Sequence, residues 1–248
     1  MDNFKYPIED LPYDVLATFG LTQEMIDDLP ESVMKAILNG MRSPVLPITR
    51  MGRDGKKYKD KARIRLTETE EGIDILLLPC YEECNISEFN EDIQNILISG
   101  AVVKCNVNEK GMCFIQLDRA TNRLLIAPAD VIEQNISILK NSLSISDKIV
   151  EEAKKGNVAV STLKNETFAF GVDLLMESGI RIAKGDAEKW SNAAEIDNNR
   201  YFFGIFGCWV TNAIDEMSYV SEDNYTPEML AIQQREYEKA KRTRGVTI

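Results

Sequence analysis

Three glycines, Gly40, Gly100 and Gly156, each close an amphipathic stretch: PESVMKAILNG, SEFNEDIQNILISG and SDKIVEEAKKG. Apolar residues at helical spacing, such as Phe89, Ile93, Ile96 and Leu97, predict a helix in each, and a glycine directly behind a helix predicts its C-cap. After each glycine comes an extended segment and then two alternating strands: ARIRL with GIDILLLP, CFIQL with NRLLIAP, and FAFGV with GIRIA. Period-two alternation places Ala62, Ile64 and Leu66 on one face, as it does Cys113, Ile115 and Leu117, and Phe168, Phe170 and Val172. Gly72, Asn122 and Gly179, residues that tolerate positive φ, stand just before the returning strands.

The order helix, glycine, strand, strand and turn therefore recurs at intervals of about 60 and then about 56 residues. The predicted class is α+β: about three repeated helix-plus-antiparallel-meander units, with an N-terminal helical lead-in and a C-terminal helical arm. Residues 1–78 hold the lead-in and first unit, 79–130 the second, 131–184 the third, and 185–248 an extension. Within the lead-in, Thr22 is a predicted N-cap and Pro30 opens the next helix. A meander of this size cannot bury both faces of its sheet, so the units are expected to pack on one another.

Composition narrows the chemistry. The 248 residues contain no histidine, which removes the usual neutral-pH general base, the Ser-His and Cys-His pairs and the commonest metal ligand. No dinucleotide-binding Gly-x-Gly-x2-Gly or nucleophile-elbow Gly-x-Ser-x-Gly motif is found. Five cysteines at irregular spacing read as reduced thiols. Cys80, Cys84, Cys105 and Cys113 match zinc ribbons poorly, and Cys105 and Cys113 fall at inward strand positions, as small core hydrophobes do. Asp118 and Asp173 end matching strands; a shared carboxylate site is one reading, but an Asp opening a turn such as LDRATN accepts backbone hydrogen bonds, which accounts for the recurrence without catalysis. The expectation is no catalytic centre, no metal and no cofactor. No apolar run approaches the roughly 20 residues of a membrane helix, and the acidic opening MDNFKYPIEDLPYD lacks the features of a secretion signal, so no membrane partner and a cytoplasmic location are expected.

One stretch runs against the charge balance. With 29 basic and 40 acidic residues the chain carries −11, yet residues 50–65, RMGRDGKKYKDKARIR, hold eight Lys or Arg against two Asp. The first unit is about nine residues longer here than its companions, so the stretch reads as an inserted, flexible hairpin turn. Its spacing is not that of a P-loop. Arg50, Arg53, Lys56, Lys57, Lys59 and Lys61 are candidate contacts to phosphate or to an acidic partner, with Lys241, Arg242 and Arg244 as further candidates.

The end of the chain offers a second surface. YFFGIFGCWV, residues 201–210, reads as a buried strand or as an intersubunit strand, since aromatic residues dominate interface cores. Thr226 and Pro227 begin a polar helix reaching about Arg242, with Glu238 and Arg242 spaced for an ion pair. Phe202, Phe203, Phe206, Trp209, Met229, Leu230 and Tyr237 are the candidate assembly contacts.

The segment LPYDVLATFGLTQEMIDDLPESVMKAILNGMRSPVLPI followed by ARIRLTETEEGIDILLLP resembles a domain family of unknown function carried by Bacteroidetes mobile elements. The later LSISDKIVEEAKKGNVAV is similar to a companion repeat found beside conjugation or topoisomerase-like proteins. The resemblance implies no catalytic residue; it implies the company of conjugative elements and phages. Three functions follow as expectations: an accessory or structural subunit acting through protein-protein assembly, in the host cytoplasm or a phage particle; a nucleic-acid-binding accessory using the basic stretch; or an acidic inhibitor of a host nuclease. Clustered cations favour the second and the net charge opposes it.

Overall fold

The computed structural model describes residues 4–143, 145–163, 166–192, 200–212 and 215–244. The fold is α+β. In chain order, the lead-in forms α1 (Tyr13–Thr18) and α2 (Gln23–Asp27), then α3 (Glu31–Leu38) precedes β1 (Leu46–Met51), β2 (Lys57–Thr69) and β3 (Gly72–Pro79). Next come α4 (Glu91–Ile98) with β4 (Val102–Val107), β5 (Gly111–Asp118) and β6 (Arg123–Pro128). A longer helix, α5 (Ala129–Leu143), leads to α6 (Asp147–Lys154) with β7 (Ala159–Leu163), β8 (Glu166–Val172) and β9 (Ile180–Lys184). After α7 (Ala187–Asn192) follow β10 (Arg200–Phe203), β11 (Gly207–Thr211), β12 (Met217–Ser221) and α8 (Pro227–Arg244). Among the described residues the strands form four three-stranded antiparallel meanders, each in chain order.

The three glycine-closed helices are built alike. Gly40, Gly100 and Gly156 take φ of +75°, +83° and +92°, a region open to glycine at little cost. In each, the residue after the glycine donates its N–H back over the last turn, Met41 to Ala36 O, Ala101 to Ile96 O and Asn157 to Glu152 O, the Schellman pattern that satisfies orphan carbonyls. The extended segment behind each glycine is the first strand of its meander. Gly72, Asn122 and Gly179 all have positive φ at the second turn. Thr22 Oγ1 accepts from Met25 N–H at 3.3 Å, as an N-cap does.

Three features depart from the sequence reading. α5 is an additional helix, held by Ile132 and Ile136 on its buried face. Ile96 points to solvent, leaving Phe89, Ile93 and Leu97 as the apolar face beside α4. The aromatic run is not one ten-residue strand: β10 and β11 pair as a hairpin, Phe202 opposite Trp209, with a turn at Gly204, Ile205 and Phe206, and β12 completes a fourth meander.

The chain divides into two compact units, one made of Met1–Leu77 with Asn198–Ile248 and the other of Leu78–Asp197. Each therefore contains two meanders. In the discontinuous unit, Ala62, Ile64 and Leu66 of β2 pack in one cluster with Leu16, Leu21, Ile26, Leu38, Trp209 and Met217. Val45 joins its two sheets through a parallel bridge to Glu216. In the continuous unit β5 serves two clusters. Cys113, Ile115 and Leu117 face Leu97 of α4, while Phe114 joins Phe170, Val172 and the helices α5 and α6. Each fully buried large apolar side chain contributes about 1.5–3 kcal/mol of burial.

The turn between β10 and β11 is fastened by Asp28, the buried C-cap of α2. Its carboxylate accepts from Ile205 N–H (2.6 Å), Phe206 N–H (3.0 Å) and the Tyr219 hydroxyl (2.6 Å). Burial, and then the bond to Asp28, raises the Tyr219 phenol above its ordinary value, and burial pushes Tyr225 up to about 12. Because both are raised in the fold, the unfolded chain ionises first; their contribution is fully present below about pH 10 and is lost as pH rises through the folded values. Stability of this unit is therefore expected to fall progressively above about pH 10, and Tyr219→Phe to shallow that fall, as read by denaturant midpoints across an alkaline series.

Candidate nucleic-acid interface

The basic stretch is a β-ribbon rather than a loose loop. β1 and β2 stay in register from Leu46 opposite Ala62 to Met51 opposite Lys57, and only residues 52–56 form the turn. That turn is tied at its base by Gly52 N–H to Lys56 O (2.8 Å). Asp54 stiffens it by accepting from Lys56 N–H (3.1 Å) and from the Tyr58 hydroxyl (2.7 Å). The tyrosine bond holds the Asp54 carboxyl below its usual range and raises the Tyr58 phenol. The expected flexible insertion is thus corrected: the paired strands extend the ladder outward from the core with lysines on one face of β2 and Tyr58 and Asp60 on the other, since charged side chains suit the solvent faces of a strand.

Alternation along β2 sorts the cations. Ala62, Ile64 and Leu66 face the core, so Lys57, Lys59, Lys61, Arg63 and Arg65 share the opposite face. At about 3.3 Å per residue, neighbours in this row stand roughly 7 Å apart. The inner three are engaged by protein. Arg65 Nε donates to Gly40 O at the end of α3 (2.7 Å). Arg63, buried, donates to Ser43 O (2.8 Å) and to Asp215 Oδ2 (2.7 Å), and Lys61 pairs with Glu216. On the other face Arg50 pairs with Asp60 at 2.6 Å. Arg53, Lys56, Lys57 and Lys59 are exposed and have no ion-pair partner among the described residues. Of the six candidates, four are therefore free at the tip. Lys241 is exposed on α8, and the side chains of Arg242 and Arg244 lie outside the described residues, as does the expected Glu238 to Arg242 pair.

The candidate assembly residues separate in the same way. Trp209 is fully buried and its indole N–H donates to Met25 O at 2.8 Å; Met229, in the first turn of α8, is buried. Neither can face a partner. Phe202 packs against the same core, and Phe203 stacks beside Tyr201 and meets Tyr225 edge-on. Phe206, Leu230 and Tyr237 are exposed, as is Ile205, which the sequence reading did not single out.

Other residue sets carry structural duties. Asp118 and Asp173 are buried and accept the N–H two residues on, from Ala120 and Leu175, both at 3.1 Å, which is the turn-opening role expected of them. Cys105 lies opposite Cys113 in the β4 and β5 ladder, and Cys113 is fully buried. Burial raises the thiols of Cys84, Cys105 and Cys208, the last to about 11, whereas a nucleophilic thiol needs the opposite shift. Among the described residues no group of three or more His, Cys, Asp or Glu is placed to hold a metal, and no helix is long and apolar enough to cross a membrane. A cleft of about 260 Å³ in the continuous unit is lined by Asn135, Ile138, Leu139, Ser142, Ser178, Ile180 and Ile182, none of them an acid or a base.

Compared with known proteins, residues 6–87 match a family described as Protein of unknown function (DUF4099). This domain spans the lead-in helices and the whole first meander, and so contains the basic ribbon. No curated protein and no solved structure matches the chain.

Proposed function

We propose that the chain is a non-catalytic accessory protein that binds nucleic acid through the β1–β2 ribbon. The observation that carries this reading is the set of four exposed cations, Arg53, Lys56, Lys57 and Lys59, without ion-pair partners among the described residues, on a two-stranded ribbon in a chain of net charge −11. A two-stranded ribbon is one of the shapes a major groove admits, and free lysines and arginines supply the counterion release on which such affinity rests. The acidic body repels phosphate and so confines contact to the tip. The resemblance noted in the sequence adds a setting: an accessory of a conjugative element or phage, at work in a bacterial cytoplasm.

The test is fluorescence anisotropy of a labelled duplex titrated with the protein and with an Arg53→Gln, Lys56→Gln, Lys57→Gln, Lys59→Gln variant. The four free cations contribute about −3.6 to the salt slope, a loss of roughly a hundredfold between about 50 and 200 mM salt. The variant is expected to lose nearly all of that affinity while keeping its melting temperature. Wild-type protein that fails to bind at the lower salt, or a variant that binds as well, would refute the reading.

A second reading, a subunit of a larger assembly such as a phage particle, is favoured by the β10–β11 turn: Ile205, at 80% exposed, and Phe206 are held outward by the bonds to Asp28. It expects Phe206→Ser, Leu230→Ser or Tyr237→Ser to lower the mass seen by light scattering, with duplex binding unchanged.

A further inference from the structure

The cation row on β2 does not end at the two free lysines. Lys61 is the next residue on the same face, and Glu216 neutralises it from the turn that opens β12. Glu216 is held there by its main chain: its N–H donates to Asn212 Oδ1 (3.0 Å), its carbonyl accepts from Asn212 N–H (2.9 Å), and it bridges Val45. The carboxylate therefore stays beside Lys61 whether or not the lysine stays with it.

We propose that Glu216 is a built-in competitor of phosphate, occupying Lys61 in the free protein and giving it up when nucleic acid binds, so that Lys57, Lys59 and Lys61 then hold successive phosphates along one strand. This rests on the reading of the ribbon as the nucleic-acid contact. Two neighbouring acid-base pairs lie on this face, and burial decides which of them exchanges. Lys61 and Glu216 are 54% and 24% exposed, and an ion pair so open to water contributes little and is readily broken. Arg63 is 5% exposed at its side chain and also holds Ser43 O, so breaking its pair with Asp215 would strand a buried cation. Lys61 is thus the movable member of the row and Arg63 a fixed one. Glu216 also acts as a filter: a polyanion that offers three anions at strand spacing gains Lys61, whereas a lone anion at the tip does not reach it.

The experiment is anisotropy with the same duplex over a salt series for wild type, Glu216→Gln, Lys61→Gln and the double variant, each checked by thermal melting. Glu216→Gln is expected to tighten binding severalfold, because Lys61 no longer has to be taken from a carboxylate, with the salt slope close to that of wild type since Lys61 meets phosphate in both complexes; Lys61→Gln is expected to lower the slope by about 0.9. Lys61→Gln in the Glu216→Gln background removes that gain, and alone it changes affinity less than it does there. Asp215→Asn serves as comparator and is expected to lower the melting temperature without tightening binding. A gain that persists without Lys61 would reduce Glu216 to general repulsion and overturn the proposal, as would an unchanged affinity in Glu216→Gln or a slope that Lys61→Gln leaves as it is in wild type. Wild-type protein that does not bind duplex would remove the ribbon reading and this inference together; duplex binding that ignores Glu216 would remove the inference alone.

Discussion

Trp209→Ala is expected to destabilise the discontinuous unit by about 3–5 kcal/mol, the range for emptying a large, fully buried aromatic site. Trp209 is 0% exposed and packs between the lead-in helices and the two sheets of its unit. Its ring centroid lies 5.1 Å from that of Tyr219, and its N–H holds Met25 O, so the substitution leaves a cavity and an unpaired carbonyl together. The loss is a large fraction of what a domain of this size has to spare. The chain has two tryptophans, Trp209 in this unit and Trp190 in the other, so each unit has its own reporter. Amide exchange should show lost protection at Ile64 and Leu66 and little change at Ile115 and Phe170. Equal loss in both units, or in neither, would show that the tryptophan does not hold the core of its own unit.

The repeats are legible because two local signals agree at each: a glycine where only a left-handed residue closes the helix, and period-two alternation behind it. The fourth meander escapes the same reading for a physical reason. Tyr201 to Val210 is apolar nearly throughout, so the turn at Gly204, Ile205 and Phe206 carries no polar punctuation, and what bends it is Asp28, 177 residues earlier. Such a clamp has no local trace. In α5, Ile132, Ile136 and Leu139 repeat at helical spacing, but no glycine closes that helix as Gly156 closes α6.

At the candidate interface the sequence shows where the cations are and not which are spent. KYKDKARIR alternates visibly, and that alternation alone places Lys57, Lys59, Lys61, Arg63 and Arg65 on one face. The pairing of Lys61 with Glu216 and of Arg63 with Asp215, the latter 152 residues apart, is reported by no spacing rule. The same holds in reverse for Trp209 and Met229, where aromatic and apolar character suits an interface core as well as a domain core. Only packing distinguishes the two, and it assigns both residues to the chain's own interior.

Asp28→Ala is expected to cost the same unit about 3–5 kcal/mol, through unpaired polar groups rather than lost volume. Three donors converge on this carboxylate, from Ile205, Phe206 and Tyr219, and Asp28 itself is only 5% exposed. Hydrogen bonds to a charged acceptor are worth more than neutral ones, and removing the acceptor leaves two backbone N–H groups and a hydroxyl without their partner at a partly buried site. Asp28→Asn keeps the shape but replaces one acceptor oxygen with an NH2 that opposes the incoming donors, so it should recover little of the loss. Gly204→Ala reaches the same contact from the other side. A Cβ there would stand 2.1 Å from Asp28 Oδ1, a separation no packing tolerates, so turn and carboxylate must part. If the clamp is one cooperative unit, the combined variant should cost clearly less than the sum of the single ones, because either substitution already breaks the shared contact. Denaturant midpoints for the four proteins test this, with Trp209 fluorescence followed in a Trp190→Phe background. Additive losses, or an Asp28→Ala midpoint equal to wild type, would show that the β10–β11 turn stands without Asp28.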